Sequence, residues 1–231
     1  MSKASPSVDD IIRERRSIRA FRGDPVDKAL VLSILDVAAR APSGTNMQPW
    51  RAYVLEGRIK DTLSERLLSA HETHSSGFSQ AEYQYYPDPF FEPYLARRRK
   101  VGFDLYGALG IAKGERDKMS RQHGRNFLFF GAPVGLIFTI HRDLKIGSWL
   151  DYGMFLENIM IAARGHGLET CVQAAFAPFH GIIRDVLPIS DEEVVVCGMS
   201  LGYADLEAPE NRFPVERMSA AEFSTFLGWD E

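Results

Sequence analysis

Three guanidiniums fall within five residues: Arg15, Arg16 and Arg19, with Ser17 among them and Ala20-Phe21 behind. Guanidinium offers forked donors and a permanent charge that suit a phosphate dianion, and a serine hydroxyl adds one short donor. The plain account of such a run is a solvated basic helix end that satisfies its dipole. About twenty residues on, Ala41-Pro42-Ser43-Gly44-Thr45-Asn46-Met47-Gln48-Pro49-Trp50 gathers small side chains and amide or hydroxyl donors into a turn. A simple connector explains that segment equally well. Three further motifs fail on context. Gly198-Met199-Ser200-Leu201-Gly202 is a literal G-x-S-x-G, but no helix follows it and no histidine comes after His180, so a nucleophile elbow lacks both partners. Gly165-His166-Gly167 lies after a helix and before a strand, the reverse of a dinucleotide loop, and reads as a helix end and turn. His71-Glu72-Thr73-His74 spaces its histidines three apart with no third ligand, so no metal site is expected.

Composition narrows the partners. Lys and Arg number 27 against 31 Asp and Glu, for a net charge of −4. A slightly acidic chain argues against general nucleic-acid binding, which needs many phosphate contacts, but permits one local cationic pocket. Two cysteines, Cys171 and Cys197, make no disulfide framework. The polar start lacks the apolar core of a secretory leader. The most apolar run, PVGLIFTI at 133–140, has the length of a strand rather than a membrane span. These features predict a cytoplasmic protein with no membrane partner.

The elements that must position the donors alternate helix and strand. Residues 8–15 read as a short helix. A second starts at Asp24-Pro25 and carries Val26, Leu30, Val31, Ile34, Leu35 and Ala38 at three-to-four spacing. A strand is expected over 50–55 and an amphipathic helix over 58–70. Residues 75–93 are aromatic and proline-rich without a period of 2 or 3.6, which predicts an ordered lid or an arm over a partner. Helices are expected at 94–109 and 114–129, the first carrying Arg97-Arg98-Arg99-Lys100, whose plain reading is a solvated face. Strands at 133–141, 168–173 and 193–199 and helices at 148–164 and 179–186 complete the pattern. The helix at 148–164 is apolar almost all round and must be covered on every side, which points to an oligomer. The tail after Pro209 is too apolar to be left free. With no repeats and no linker, the chain reads as one α+β domain over 1–231, with an insertion at about 71–120.

Together the donor-rich segments resemble one family. RRSIRAF (15–21) followed by PSGTNMQPW (42–50) is similar to the FMN-dependent nitroreductases. GAPVGLIF (131–138) is similar to that family's central strand and its lead-in turn. GLETCVQAAF (167–176) takes the place of its flavin-N5 segment, and Asn211-Arg212-Phe213-Pro214 that of its phosphate-side arginine. The likeness covers nearly the whole chain apart from 71–120. It implies a nitroreductase-like three-layer α+β fold, with a central mixed β-sheet flanked by helices and a C-terminal extension wrapping the partner subunit. It also implies a homodimer with FMN at the subunit interface. Arg15, Ser17 and Arg212 would then hold the phosphate, with Arg16 lining the same end. Arg19, where many members carry Lys, would meet the pyrimidine edge and favour the charge of reduced flavin. Pro42, Ser43, Gly44 and Asn46 would reach the flavin of the neighbouring chain. Gln173, Ala174 and Ala175 would set backbone amides near N5 and O4; Ala-Ala departs there from an acidic residue and glycine, and Val172 from a proline. Arg121, Arg125 and Asn126 would add an edge contact.

The implied chemistry is ping-pong: NADH or NADPH, then a small electron-poor aromatic acceptor, use one flavin face in turn, and no side chain need act as acid or base. Arm residues Tyr83, Tyr85, Tyr86, Phe90, Phe91 and Tyr94 would stack on flat acceptors, and the basic run 97–100 would favour anionic ones such as nitrobenzoates. Reductive dehalogenation, flavin fragmentation and a flavin-binding dimer without turnover are the alternatives.

Overall fold

Runs of β-branched and aromatic residues build the centre of the molecule. The computed structural model describes residues 7–73 and 81–229. Its four strands are β1 (Arg51–Leu55), β2 (Val134–His141), β3 (Glu169–Gln173) and β4 (Glu193–Gly202). β4 is buried throughout and β2 except at its last residue, as strands covered on both faces must be. Strand order is β1-β2-β4-β3. Every pairing is antiparallel, which corrects the mixed sheet that the resemblance implied. The reason is topological: β2 and β3 run the same way through a helical crossover, and β4 fills the slot between them, antiparallel to both.

The helices are α1 (Val8–Glu14), α2 (Lys28–Ala38), α3 (Gly57–Thr73), α4 (Tyr94–Ala108), α5 (Arg116–Gly124), α6 (Ile146–Gly165), α7 (His180–Val186) and α8 (Ala220–Phe223). Two hydrophobic clusters make the fold three-layered. On one side, Val31, Ile34 and Ala38 of α2 join Tyr152, Phe155 and Ile159 of α6 against Leu136, Phe138 and Ile140 of β2. On the other, Leu63 and Leu67 of α3 join Ile183 of α7 and a group of phenylalanine rings against Ile137 and Val195.

Packing overrides local propensity in two places. The helix expected over 114–129 stops at Gly124, and Arg125–Gly131 continues as 3-10 turns with φ of 49° and 53° at Phe129 and Phe130. A Cβ at Gly124 would lie 3.0 Å from Leu68, and the break turns Phe127, Phe129 and Phe130 into the core. The second helix begins at Lys28 rather than at 24, because the Asp27 side chain accepts from the Ala29 N–H at 2.7 Å while Val26 joins the core.

The G-x-S-x-G sequence proves to be packing. A Cβ at Gly198 would sit 2.5 Å from the Phe176 ring. Ser200 is fully buried and donates to Gln173 Oε1 at 2.7 Å.

α6 is not wrapped on all sides within one chain. Ile146, Leu150 and Met154, four residues apart, are 85%, 73% and 37% exposed. Phe226, Leu227 and Trp229 near the chain end are also exposed. Among the described residues, no helix is long and apolar enough to cross a membrane. His74, the first part of the aromatic stretch (75–80), the polar start (1–6) and residues 230–231 lie outside the described residues.

Candidate active site

Residues 15–21 leave α1 as an extended segment laid along the sheet edge. The Ile18 N–H donates to the Thr170 carbonyl at 3.1 Å, and Phe21 and Arg22 donate to Phe130 and Tyr203. Ile18 and Ala20 point into the core. The alternation of an extended chain therefore turns Ser17 and Arg19 the other way. Asn211, itself buried, locks the segment. Its Oδ1 accepts from the Arg19 N–H at 2.7 Å, and its Nδ2 donates to the Ala20 and Asp205 carbonyls at 2.8 and 2.7 Å. Its own carbonyl accepts from the Arg16 guanidinium at 3.3 Å.

Two cavities meet at Arg19. The first, of about 650 Å³, is lined by Arg13, Arg15, Arg16, Ser17, Arg19 and Arg217, with Glu157, Glu210 and Asn211. Glu157 lies 3.6 Å from Arg15, and Glu210 is paired with Arg125. Five guanidiniums against two carboxylates leave this cavity cationic.

The second, of about 720 Å³, is lined by Arg19, Cys171, Val172, Gln173, Ala174 and Ala175 on the sheet side. Gln173 takes part through a fixed position: its Nε2 donates to the Asn126 carbonyl at 2.8 Å, and its Oε1 accepts from Ser200. Asn126 borders this cavity, whereas Arg125 is held by Glu210 and Arg121 lines neither cavity. Burial pushes the Cys171 thiol up to about 11 against the pull of Arg19 and Arg15. It is therefore a neutral wall group, not a thiolate.

The arm closes the second cavity from outside. Tyr83, Tyr85 and Tyr86 line it together with His71 and His123. Tyr83 packs at a tilt against Trp149 with ring centres 4.6 Å apart, Tyr85 meets Tyr86 edge-on at 4.5 Å, and Tyr86 packs at a tilt against Phe90 at 5.3 Å. Phe91 and Tyr94 pair with each other and border neither cavity. The base of the arm hangs on Glu82, which accepts from Arg184 at 3.0 Å and Arg142 at 3.1 Å and lies 3.8 Å from His180. Burial opposes its ionisation, but the two guanidiniums outweigh burial and hold the carboxyl below the usual carboxylate range.

Other sequence-selected residues lie apart within one chain. Arg212 turns toward the Leu206 carbonyl, at 2.7 Å, and the Glu207 carboxylate, and borders neither cavity. Pro42, Ser43, Gly44 and Asn46 also border neither. Their turn leans on α6, where the Gly44 N–H donates to Asp151 at 3.0 Å, and Ser43 Oγ accepts from the Gln48 N–H at 3.0 Å.

Sequence reading passed over Asn211 and Glu82. Asn211 had a signal, a polar residue beside Arg212 in an otherwise apolar tail, but its partners lie 192 residues away. Glu82 is one of three acids in the aromatic stretch, with Asp88 and Glu92, and nothing local singles it out.

A largely apolar cavity that shares Arg19 with a cationic one suits a ligand with one planar and one anionic end, on a three-layer α+β scaffold. The chain belongs to the nitroreductase family, whose model matches residues 12–203. It is 43% identical to a 4-nitrobenzoate reductase of Pseudomonas putida over all of both chains. It is 42% identical to a nitrobenzene nitroreductase of Ectopseudomonas oleovorans, covering 96% of this chain and 98% of that one. The fold matches the crystal structure of NfnB, an FMN- and NADPH-dependent nitroreductase of Sphigopyxis sp. strain HMH, at a TM-score of 0.92 and 36% identity. That match covers 97% of this chain and 100% of the other.

Proposed function

We propose that the chain is an FMN-dependent NAD(P)H oxidoreductase that reduces nitroaromatic and similar electron-poor acceptors as a cytoplasmic homodimer. One observation carries this reading: Arg19 lines both cavities, so a molecule with an anionic end and a planar end fits across it. When bound, FMN takes electrons from the nicotinamide and passes them to the acceptor. The chain's residues hold, orient and enclose. Arg15, Arg16 and Ser17 hold the phosphate through charge-assisted donors. Arg19 sets a cation at the pyrimidine edge, where Coulomb attraction in a partly dry site favours the reduced form. Gln173, fixed by Asn126 and Ser200, holds the backbone of Ala174 and Ala175 against the ring. Arg212, engaged with Glu207 and the Leu206 carbonyl, stays outside this set.

The arm tyrosines narrow the approach to flat acceptors, and the relatives' names, a nitrobenzene nitroreductase and a 4-nitrobenzoate reductase, support an acceptor among nitroarenes. A second copy of the chain is the natural cover for Ile146, Leu150 and Met154. The Pro42-to-Asn46 turn leans on the same helix, which supports its reaching the partner's cofactor. Two free, buried cysteines suit the reducing cytoplasm.

The test is optical. Purified protein should carry an oxidised flavin spectrum that bleaches on anaerobic mixing with NADH or NADPH and returns on adding nitrobenzene. A bound flavin that neither nucleotide reduces would reject the proposal.

A further inference from the structure

Two histidines from different helices meet beside the ring cavity. His71 lies in the last turn of α3 and His123 in the last turn of α5, with ring centres 5.3 Å apart. Both line the cavity together with the arm tyrosines. The two rings are held differently. His71 Nε2 lies 3.0 Å from the Ser120 carbonyl and 3.2 Å from Ser120 Oγ. A carbonyl oxygen only accepts, so this nitrogen carries a proton and donates it, which fixes the ring and ties α3 to α5. Gly124 makes room for it, since a Cβ there would lie 3.2 Å from His71 Cδ2.

His123 packs against His71 and, edge-on, against Phe127 at 6.0 Å. Among the described residues, neither of its ring nitrogens has a hydrogen-bond or ion-pair partner. The residue is nonetheless exposed, so water reaches it. Its backbone is tied to the opposite wall. The His123 carbonyl accepts from Asn126 Nδ2 at 2.8 Å, and the Asn126 carbonyl accepts from Gln173 Nε2 at 2.8 Å.

The other titratable groups of this cavity keep their protons near neutrality. Arg19 is a permanent cation, and burial holds the Cys171 thiol at about 11. Phenols ordinarily ionise near 10, and burial pushes Tyr83 and Tyr85 higher. The charged residues of α5 itself, Arg116, Asp117, Lys118 and Arg121, do not border the cavity, nor does Glu72 of α3. Imidazole is the group that exchanges a proton between pH 5 and 8. Crowding by the surrounding protein, and then the neighbouring His71, hold His123 below the usual histidine range, which makes its protonated form the stronger acid.

Reducing a nitro group takes protons as well as electrons. A nitroarene plus one hydride equivalent and one proton gives a nitrosoarene and water. One N–O bond breaks, and the departing oxygen carries away both hydrogens. The hydride equivalent originates on the nicotinamide; the proton needs an acid. We propose that His123 is that acid, its ring N–H donating to a nitro oxygen, with His71 as the positioning residue beside it. The inference rests on the oxidoreductase reading above and adds a proton donor to it. Between turnovers the exposed imidazole regains its proton from water.

The test isolates the step in which the acceptor is reduced. FMN-loaded protein, reduced anaerobically with NADH or NADPH, is mixed rapidly with nitrobenzene or with ferricyanide, which takes electrons without a proton. His123→Gln should cut the nitrobenzene-to-ferricyanide ratio of reoxidation rates roughly a hundredfold, the scale of a general acid. The wild-type nitrobenzene rate should rise as pH falls, level off once His123 is protonated, and drop in heavy water; the variant should show neither response. His123→Ala should regain part of the ratio when imidazole is added. His71→Gln removes a like charge, so it should move the midpoint of the pH profile upward. The His123 ring signal in an NMR titration of the oxidised protein should shift by the same amount, a readout independent of turnover. An unchanged ratio in folded, loaded His123→Gln overturns the proton assignment alone. So does equal slowing with both oxidants, or a loss confined to 4-nitrobenzoate, which would make His123 a carboxylate contact. Loaded protein that neither nucleotide reduces overturns the oxidoreductase reading, and the proton assignment falls with it.

Discussion

Arg19 and the tyrosines Tyr83, Tyr85 and Tyr86 border the same cavity, yet the segments that carry them are held very differently. Around Arg19 the backbone is tied to Thr170, Phe130, Tyr203 and Asn211 by short hydrogen bonds, and its alternate residues are buried. The arm at 81–93 is fastened at its base through the Glu82 carboxylate and the Tyr83 hydroxyl, and beyond that by tilted and edge-on ring contacts, with Tyr85 and Tyr86 mostly exposed. A cofactor that stays bound needs a rigid floor, because its affinity depends on donors held in position before it arrives. Substrates that come and go need a wall that can yield, and such walls come from the less stable parts of a fold.

The largest effect should come from the floor. Asn211→Leu keeps the volume but strips the Arg19 N–H and the Asp205 carbonyl of their partner. Leaving such groups buried and unpaired should cost about 3 kcal/mol, read as a lower denaturation midpoint, with loss of FMN on gel filtration. If the arm rather than the floor set cofactor retention, FMN would stay bound. Arg15→Ala removes one charge-assisted donor and leaves the fold intact. FMN affinity should fall about tenfold to a hundredfold, equivalent to about 1.5–3 kcal/mol, and fluorescence titration with FMN measures it.

Glu82→Gln should be mildest in stability and most selective in function. The acceptor KM should rise severalfold and the denaturation midpoint fall slightly, while FMN affinity holds. The same carboxylate gives the wall a pH response. Its folded pKa is depressed, so its contribution is present above the unfolded carboxylate value and is lost as pH falls through the depressed folded one. Wild-type acceptor KM should therefore climb in acid, and the Gln variant should lack that limb. Parallel profiles would mean that the arm is held by its stacking instead.

The two regions also differ in how far they can be read from sequence. The floor draws notice by residue type, since Arg15, Arg16 and Arg19 cluster with Ser17, but the sequence reads it as a helix end, and only the structure shows an extended run with Ile18 and Ala20 buried. Its lock was invisible, because Asn211 works through partners 192 and 191 residues away. Arg212 beside it is the residue that the family resemblance offers, and within this chain it engages Glu207. The arm could be recognised as a lid by its aromatics, but not its anchor, since a single acid has no pattern until Arg142 and Arg184 come round to meet it. The helices were legible wherever one face repeated, and the reading failed at Gly124, where a bulky aromatic run had to be driven inward. Sheet order was beyond local signals, as nothing along β4 says that it lies between two strands made before it.

That placement of β4 has a bearing on biosynthesis. A ribosome releases β1, β2 and β3 first, and none of β2's and β3's shared edge can close until residues 193–202 have emerged. The segment at 15–22 leaves the ribosome early, but the groups that tie Ile18, Arg19 and Arg22 in place, at Thr170, Asn211 and Tyr203, come much later. The cationic cavity is thus closed by the last fifth of the chain. Nascent chains that stop short of it should emerge without flavin, and loading should follow synthesis rather than accompany it.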